Sequence, residues 1–224
     1  MIGFRIAELQ RRVAAHWVEK FRAIPVANIS DVMARMSAGG AALRPMHAGG
    51  ALAGPAFTVK TRPGDNLMVH KAIAMAQPGD VIVVDAGGDL TNAIIGEIMT
   101  STAKRRGIAG FVINGAIRDL GTISKDSFPV YAAGVTHRGP YKDGPGEINA
   151  PVSLGGMVVA PGDLVLGDED GLLSIPYAEV EAVHAAAQAK NELEARMLAD
   201  IANGVLDTAW IDQALARLQC EFVK

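Results

Sequence analysis

A single cysteine, Cys220, is all the thiol this chain contains, so no internal disulfide can form and a disulfide-stapled secreted fold is excluded. No spacing of cysteine and histidine matches a zinc site. The histidines, His16, His47, His70, His137 and His184, form no helical metal pair, and no serine lies in a Gly-x-Ser-x-Gly turn. His70 and His184 fall in helical patterns, where a polar-face or satisfied core role is expected. No Gly-x-Gly-x-x-Gly follows a strand, so a dinucleotide cofactor has no support. Lysine and arginine are scattered and the net charge is -3, which leaves no electrostatic footprint for nucleic acid. No apolar run approaches the ~20 residues that span a bilayer, and the N-terminus lacks the charged, apolar and small-residue succession of a leader. The expectation is a soluble cytoplasmic protein with no membrane partner. Aromatics make up only 5%, yet half of the 224 residues are apolar, enough for one well-buried core and a single domain over residues 1–224. Carboxylates and arginine remain to carry chemistry.

Residues 78–119 concentrate those groups. Pro78-Gly79-Asp80 precedes the apolar run Val81-Ile82-Val83-Val84 and then Asp85-Ala86-Gly87-Gly88-Asp89. A helical segment opens near Gly96-Glu97, and a second apolar run over residues 108–113 leads to Asn114-Gly115-Ala116-Ile117-Arg118-Asp119. Two β-branched runs joined through a helix predict a strand-helix-strand unit. Ligands collect past the carboxyl ends of such strands, which is where Asp85, Asp89, Arg118 and Asp119 lie. The helix start at Gly96, Glu97 and Ile98 offers unpaired N–H groups and the positive end of a dipole, a setting for an anionic ligand. Carboxylates beside it make a divalent metal plausible.

Elsewhere, residues 3–22 read as an amphipathic helix with Phe4, Ile6, Leu9, Val13, Trp17 and Phe21 on one side. Ser30 reads as the N-cap of a short helix ending at Gly39-Gly40, and Asp65 as the cap of a helix through Ala76. Residues 57–61 alternate as a strand, and residues 129–135 form another. The loop of residues 138–146 carries Arg138 and Lys142 between His137 and Glu147, although its composition says only that it is exposed. Turn signals over residues 152–175 predict antiparallel hairpins, and residues 177–202 a long helix closed by Gly204.

The span from Gly79 to Asp85, Gly96-Glu97 and Gly115-Ala116-Ile117-Arg118-Asp119 resembles the class II pyruvate aldolases of the 4-hydroxy-4-methyl-2-oxoglutarate and 4-carboxy-4-hydroxy-2-oxoadipate type, and their non-enzymatic relatives, the ribonuclease regulator A proteins. The resemblance continues through Gly144-Pro145-Gly146-Glu147-Ile148-Asn149, Pro161-Gly162-Asp163 and Gly167-Asp168-Glu169-Asp170-Gly171, covering most of residues 28–204. It implies an α/β chain built as a layered α/β/β sandwich with a mixed sheet, N-terminal helices and a long C-terminal helix. It also implies a homotrimer or homohexamer in which that helix, about residues 177–203, packs on a neighbouring subunit.

The family motif is Asp, twenty residues, then Arg-Asp; Glu97 and Arg118-Asp119 have that spacing, with Glu replacing Asp. By resemblance, Asp119 ligates Mg²⁺ or Mn²⁺ and Glu97 holds metal-bound waters. Arg118 pairs with the pyruvyl carboxylate or oxyanion of a small 2-oxo acid, assisted by backbone groups at Gly96, Glu97 and Ile98. The family's C-terminal helix carries a Glu ten residues before its closing Gly, a spacing reproduced by Glu194 and Gly204. Glu194 is thus expected to reach the metal's water shell from a neighbouring subunit, with Glu192 as the alternative. The implied activity is 4-hydroxy-2-oxo acid cleavage to pyruvate, with oxaloacetate decarboxylation through the same enolate. The competing implication is a ribonuclease-regulator-like binding module, but regulators are marked by glycine at the position of Glu97 and an acidic residue at that of Thr122.

Overall fold

The computed structural model describes residues 3–205 and 207–223. In chain order the elements are β1 (Phe4–Ile6), α1 (Ala15–Phe21), α2 (Val26–Val32), β2 (Arg44–Pro45), β3 (Leu52–Thr61), α3 (Leu67–Met75), β4 (Val81–Asp85), β5 (Ala93–Ile95), α4 (Glu97–Arg105) and β6 (Gly110–Ile117). Then come α5 (Leu120–Ile123), β7 (Val130–Val135), β8 (Gly146–Ile148), β9 (Val152–Leu154), β10 (Met157–Val159), β11 (Leu164–Gly167), β12 (Leu172–Ile175), α6 (Val180–Ala202) and α7 (Ala209–Arg217).

The main sheet is mixed, with the order β1-β8-β3-β4-β6-β7-β2; β11 and β12 extend from β3, and β5 lies against β6. The expected strand-helix-strand unit is present: β4 and β6 pair in parallel, Val81 opposite Gly110 and Asp85 opposite Asn114, with α4 between them in the chain. The extra piece is β5, a short parallel strand beside the end of β6. Side chains in β4 alternate strictly. Ile82 and Val84 enter a core with α3 and α4, whereas Val81 and Val83 face a second core with β9 and β10. Helices thus cover one face of the sheet and a hairpin the other, which is the layered α/β/β arrangement. All four residues are fully buried, each worth about 1.5–3 kcal/mol of transfer free energy. A third core unites α1, α2 and α6 over β11 and β12.

Several local expectations give way to tertiary contacts. The predicted helix over residues 3–22 shrinks to α1, because Phe4, Arg5 and Ile6 are taken by β8 as a parallel edge strand. Ser30 lies inside its helix rather than capping it; Pro25 caps α2 with an extended ψ of 139°, and Asp168 Oδ2 accepts the Val26 N–H at 2.9 Å. That helix stops at Met33, where Ala34 and Arg35 turn left-handed, well before Gly39. Asp65 sits one residue ahead of the cap Asn66 of α3 and accepts the Leu67 N–H at 2.9 Å. β3 does not alternate: β4, β8 and β11 pair along its edges, and its two faces enter different cores, with Phe57 and Val59 in one and Leu52 and Ala56 in another. Strand β7, the hairpins over residues 152–175 and the long α6 with its left-handed Gly204 follow the sequence reading.

Candidate active site

Arg118 and Asp119 follow β6 directly, at the carboxyl end of the parallel strands. The Arg118 N–H donates to Ile95 O at 3.0 Å, which pins the end of β5 to the end of β6 and brings Gly96 beneath the Arg118-Asp119 pair. Asp119 has φ 59° and ψ 34°, the left-handed region that aspartate tolerates better than most residues. From there its Oδ2 accepts the Glu97 N–H at 2.9 Å, so an acidic side chain occupies the positive end of α4. Arg118 Nε stands 3.7 Å from the same oxygen. The Thr122 hydroxyl donates to Glu97 Oε2 at 3.3 Å, while the Thr122 N–H donates to Asp119 O at 3.0 Å. Thr122 therefore joins the two carboxylate residues of the motif. Gly96 is needed by contact rather than by conformation: its φ is -152°, open to any residue, but a Cβ would overlap Asp119 Oδ2 and lie 2.9 Å from Arg118 Cγ.

Beside this constellation opens a cavity of about 210 Å³. Gly96, Ile98 and Arg118 line it together with Asn66, His70 and Lys142. Among the described residues the Ile98 N–H has no acceptor, leaving a free donor in the first turn of α4. Burial, followed by the charge of Lys142, pushes the His70 imidazole below its ordinary range.

The sequence-predicted groups divide clearly. Gly96, Glu97, Ile98, Arg118 and Asp119 come together at one place. Asp85 and Asp89 do not join them: Asp85 Oδ1 accepts the Gly87 N–H at 3.0 Å and the Asn114 amide at 3.1 Å, and Asp89 Oδ1 accepts the Thr91 hydroxyl at 2.8 Å. Asp85 ends β4 and Asp89 lies just past the turn that follows it, so both serve the strand's exit. Glu194 lies on α6, held by Lys190 at 2.8 Å, which also reaches Asp31 of α2 at 3.0 Å. Lys190 keeps the Glu194 carboxyl below its usual range. Glu192 accepts from the Gln188 amide at 2.7 Å. Of the polar groups around the 138–146 loop, Lys142 lines the cavity, and Glu147 is bound by Arg5 at 2.7 Å. Sequence reasoning passed over Asn66 and expected of His70 only a polar-face or core role. Their signal was a spacing of four on one helix, which puts two polar side chains on the same face.

Among the described residues no group of three or more His, Cys, Asp or Glu forms a closed metal cage. The chain offers two hard oxygen ligands, Asp119 and Glu97, which suits a cation such as Mg²⁺ that keeps several waters. The donor set therefore fits the implied ion.

Parallel strands that deliver an Arg-Asp pair to a helix N-terminus on a mixed, layered sheet define a class of small α/β proteins. The family description RraA-like, Aldolase/RraA, matches residues 26–173. A protein of Halalkalibacterium halodurans, provisionally named 4-hydroxy-4-methyl-2-oxoglutarate aldolase, is 42% identical over 187 residues, covering 82% of this chain and 89% of the relative. An uncharacterized protein from Pseudomonas syringae pv. tomato superposes with TM-score 0.78 at 25% identity, over 86% of this chain and 95% of the other. The RNA-processing inhibitor RraA from Thermus thermophilus gives TM-score 0.63 at 31% identity, over 68% and 92%. The chain belongs to the RraA-like family. No helix among the described residues is long and apolar enough to cross a membrane.

Proposed function

We propose that this protein is a divalent-metal-dependent pyruvate aldolase. It cleaves 4-hydroxy-2-oxo acids of the 4-hydroxy-4-methyl-2-oxoglutarate or 4-carboxy-4-hydroxy-2-oxoadipate type to pyruvate and a second oxo acid, and decarboxylates oxaloacetate at the same site. The observation that carries this reading is the meeting of Arg118, Asp119 and the first turn of α4, beside a cavity that Gly96, Ile98 and Arg118 help to line; the name of the Halalkalibacterium relative agrees with it. Asp119 would ligate Mg²⁺ or Mn²⁺, with Glu97 on the water shell and Glu194 reaching it from a neighbouring copy in a homotrimer or homohexamer. When bound, the ion supplies Lewis-acid stabilisation of the enolate charge, worth several kcal/mol. Arg118 clamps the pyruvyl carboxylate, because its planar fork matches two oxygens, and the free Ile98 N–H with the dipole of α4 adds a second donor.

In the cleavage, the C4 hydroxyl proton leaves to a water ordered by Glu97. The C3–C4 bond breaks, its electron pair forms the pyruvate enolate, and C3 is then reprotonated. General base assistance of this kind contributes ~10² to 10⁴-fold. Thr122 keeps the Glu97 carboxylate directed at that water. Oxaloacetate loses carbon dioxide to give the same enolate without a hydroxyl to deprotonate. The regulator-like alternative is weaker, because Glu97 and Thr122 stand where regulators are marked by glycine and an acidic residue. The test is pyruvate release from a panel of these acids by chelator-stripped protein before and after adding Mg²⁺. Release only with the ion supports the reading; undiminished release after thorough chelation refutes the metal role.

A further inference from the structure

Among the described residues no hydrogen bond holds the Arg118 guanidinium: Asp119 Oδ2 stands 3.7 Å from Nε, beyond hydrogen-bond range. The side chain is therefore placed by what packs around it. Two glycines form its walls. A Cβ on Gly96 would lie 2.9 Å from Arg118 Cγ, and one on Gly139 would lie 3.5 Å from Nη1. Arg118 thus runs in a slot between two bare stretches of backbone. Gly96 is fixed as the N-cap of α4, whereas Gly139 belongs to a loop and needs its own anchor.

Asn92 supplies that anchor. It is 8% exposed; its Nδ2 donates to Gly139 O at 2.5 Å, and the adjacent Ala93 N–H donates to Arg138 O at 2.8 Å. On its other side the amide is wedged against the turn at Gly64, where a Cβ would lie 3.3 Å from Asn92 Cβ and Oδ1. Gly64 O in turn accepts the Tyr141 N–H at 2.8 Å, so the same turn and the same loop are tied twice. From Ala93, β5 runs on to Ile95, whose carbonyl accepts the Arg118 N–H at 3.0 Å. One short strand thus fixes the Arg118 backbone at its end and, through Asn92 before its start, the backbone beside the guanidinium.

Resting on the reading of this site as a pyruvate aldolase, we propose that Asn92 is a positioning residue for the reaction: it holds Gly139 against Arg118 and so keeps the guanidinium fork aimed at the pyruvyl carboxylate. Without the amide bond Gly139 loses its fixed place, the slot widens and Arg118 gains rotamers. The fork must then be ordered at the moment of binding, so the loss falls on carboxylate binding and shows mainly in KM. A lysine at position 118 has a compact head with no fork to aim, and it should be nearly indifferent to Asn92.

The experiment is a double-mutant cycle in kcat/KM for pyruvate release from 4-hydroxy-4-methyl-2-oxoglutarate with Mg²⁺, using wild type, Asn92→Ala, Arg118→Lys and the double variant. Asn92→Ala should lower kcat/KM about tenfold, mainly through KM, when Arg118 is present, and less than about twofold in the Arg118→Lys background. A loss by the same factor in both backgrounds would show that Asn92 serves only the fold, and overturns the proposal; so does a loss below about twofold beside Arg118. Asn92→Asp keeps the volume against Gly64 and removes only the donor, and it carries the same cycle if the alanine variant does not fold. If wild type releases no pyruvate, the aldolase reading has failed, and the proposal is judged by calorimetric binding of pyruvate in the presence of Mg²⁺. Affinity lost in Asn92→Ala but unchanged by it beside Lys at position 118 upholds the positioning role; equal affinity in wild type and Asn92→Ala, or no binding by wild type, overturns it.

Discussion

Replacing Gly96 by alanine isolates the geometric demand of the site. The backbone at Gly96, with φ -152°, accepts an L-residue, so no conformational penalty enters. The methyl group would overlap Asp119 Oδ2 and press on Arg118 at 2.9 Å from Cγ and 3.1 Å from Nε, inside the ~3.5 Å at which carbon atoms pack well. Overpacking costs about 1–3 kcal/mol. The low end applies here, because the Arg118 and Asp119 side chains are 42% and 40% exposed and can swing outward. At about 2–4 °C per kcal/mol for a chain of this size, the melting temperature should drop by only a few degrees. Activity should fall much further. Turning Asp119 away breaks its bond to the Glu97 N–H, and displacing a positioned group by about 1 Å can cost ~10²-fold. The assay is pyruvate release beside a thermal melt. A Gly96→Ala protein with wild-type kcat/KM would refute the requirement for Asp119 and Arg118 at these positions.

Other perturbations separate the remaining roles. Arg118→Lys keeps the charge but loses the fork, so kcat/KM for pyruvyl substrates should fall about tenfold or more; wild-type efficiency would remove the carboxylate-clamp role. Mixing inactive Asp119→Asn with inactive Glu194→Ala protein under subunit exchange should restore activity if sites are shared between copies, and a Glu194→Ala protein active from the start would exclude that sharing. Burial against Trp17 and Phe21 holds the His184 imidazole below its ordinary range, so folding favours its neutral form. Its contribution is fully present above the unfolded value of about 6.5 and is lost as pH falls through the lower folded value. Urea midpoints measured from pH 7.5 down to 5 should decline less in His184→Leu than in wild type; parallel declines would contradict this.

The parallel unit and the motif at its end were readable because the signals there are local. Val81 to Val84 and the run into Ile113 are β-branched and uninterrupted, as strands buried on both faces must be, and Gly96-Glu97 marks a helix start. What failed at the N-terminus failed for a non-local reason. Phe4 and Ile6 carry an amphipathic pattern, but β8 lies alongside them, and pairing with a distant strand overrides helical periodicity. Ser30 misled in the same way, since the start of α2 is set by Pro25 and by Asp168 far along the chain. At the site, Arg118, Asp119 and Glu97 share a recognisable spacing, whereas the cavity lining also draws on Asn66 and His70 at the start of α3 and on Lys142, more than seventy residues later. Only folding brings Asn66, His70 and Lys142 to one cavity.

Asp119 is the residue on which the account converges. Asparagine at this position tolerates the left-handed backbone and keeps one oxygen for the Glu97 N–H, but removes the negative charge offered to the cation. The decisive measurement is the rate of pyruvate release from 4-hydroxy-4-methyl-2-oxoglutarate by chelator-stripped wild type and Asp119→Asn protein, each titrated with Mg²⁺. The account predicts release that rises with Mg²⁺ in wild type and stays at the metal-free baseline in Asp119→Asn; equal Mg²⁺-dependent release by both proteins would contradict it.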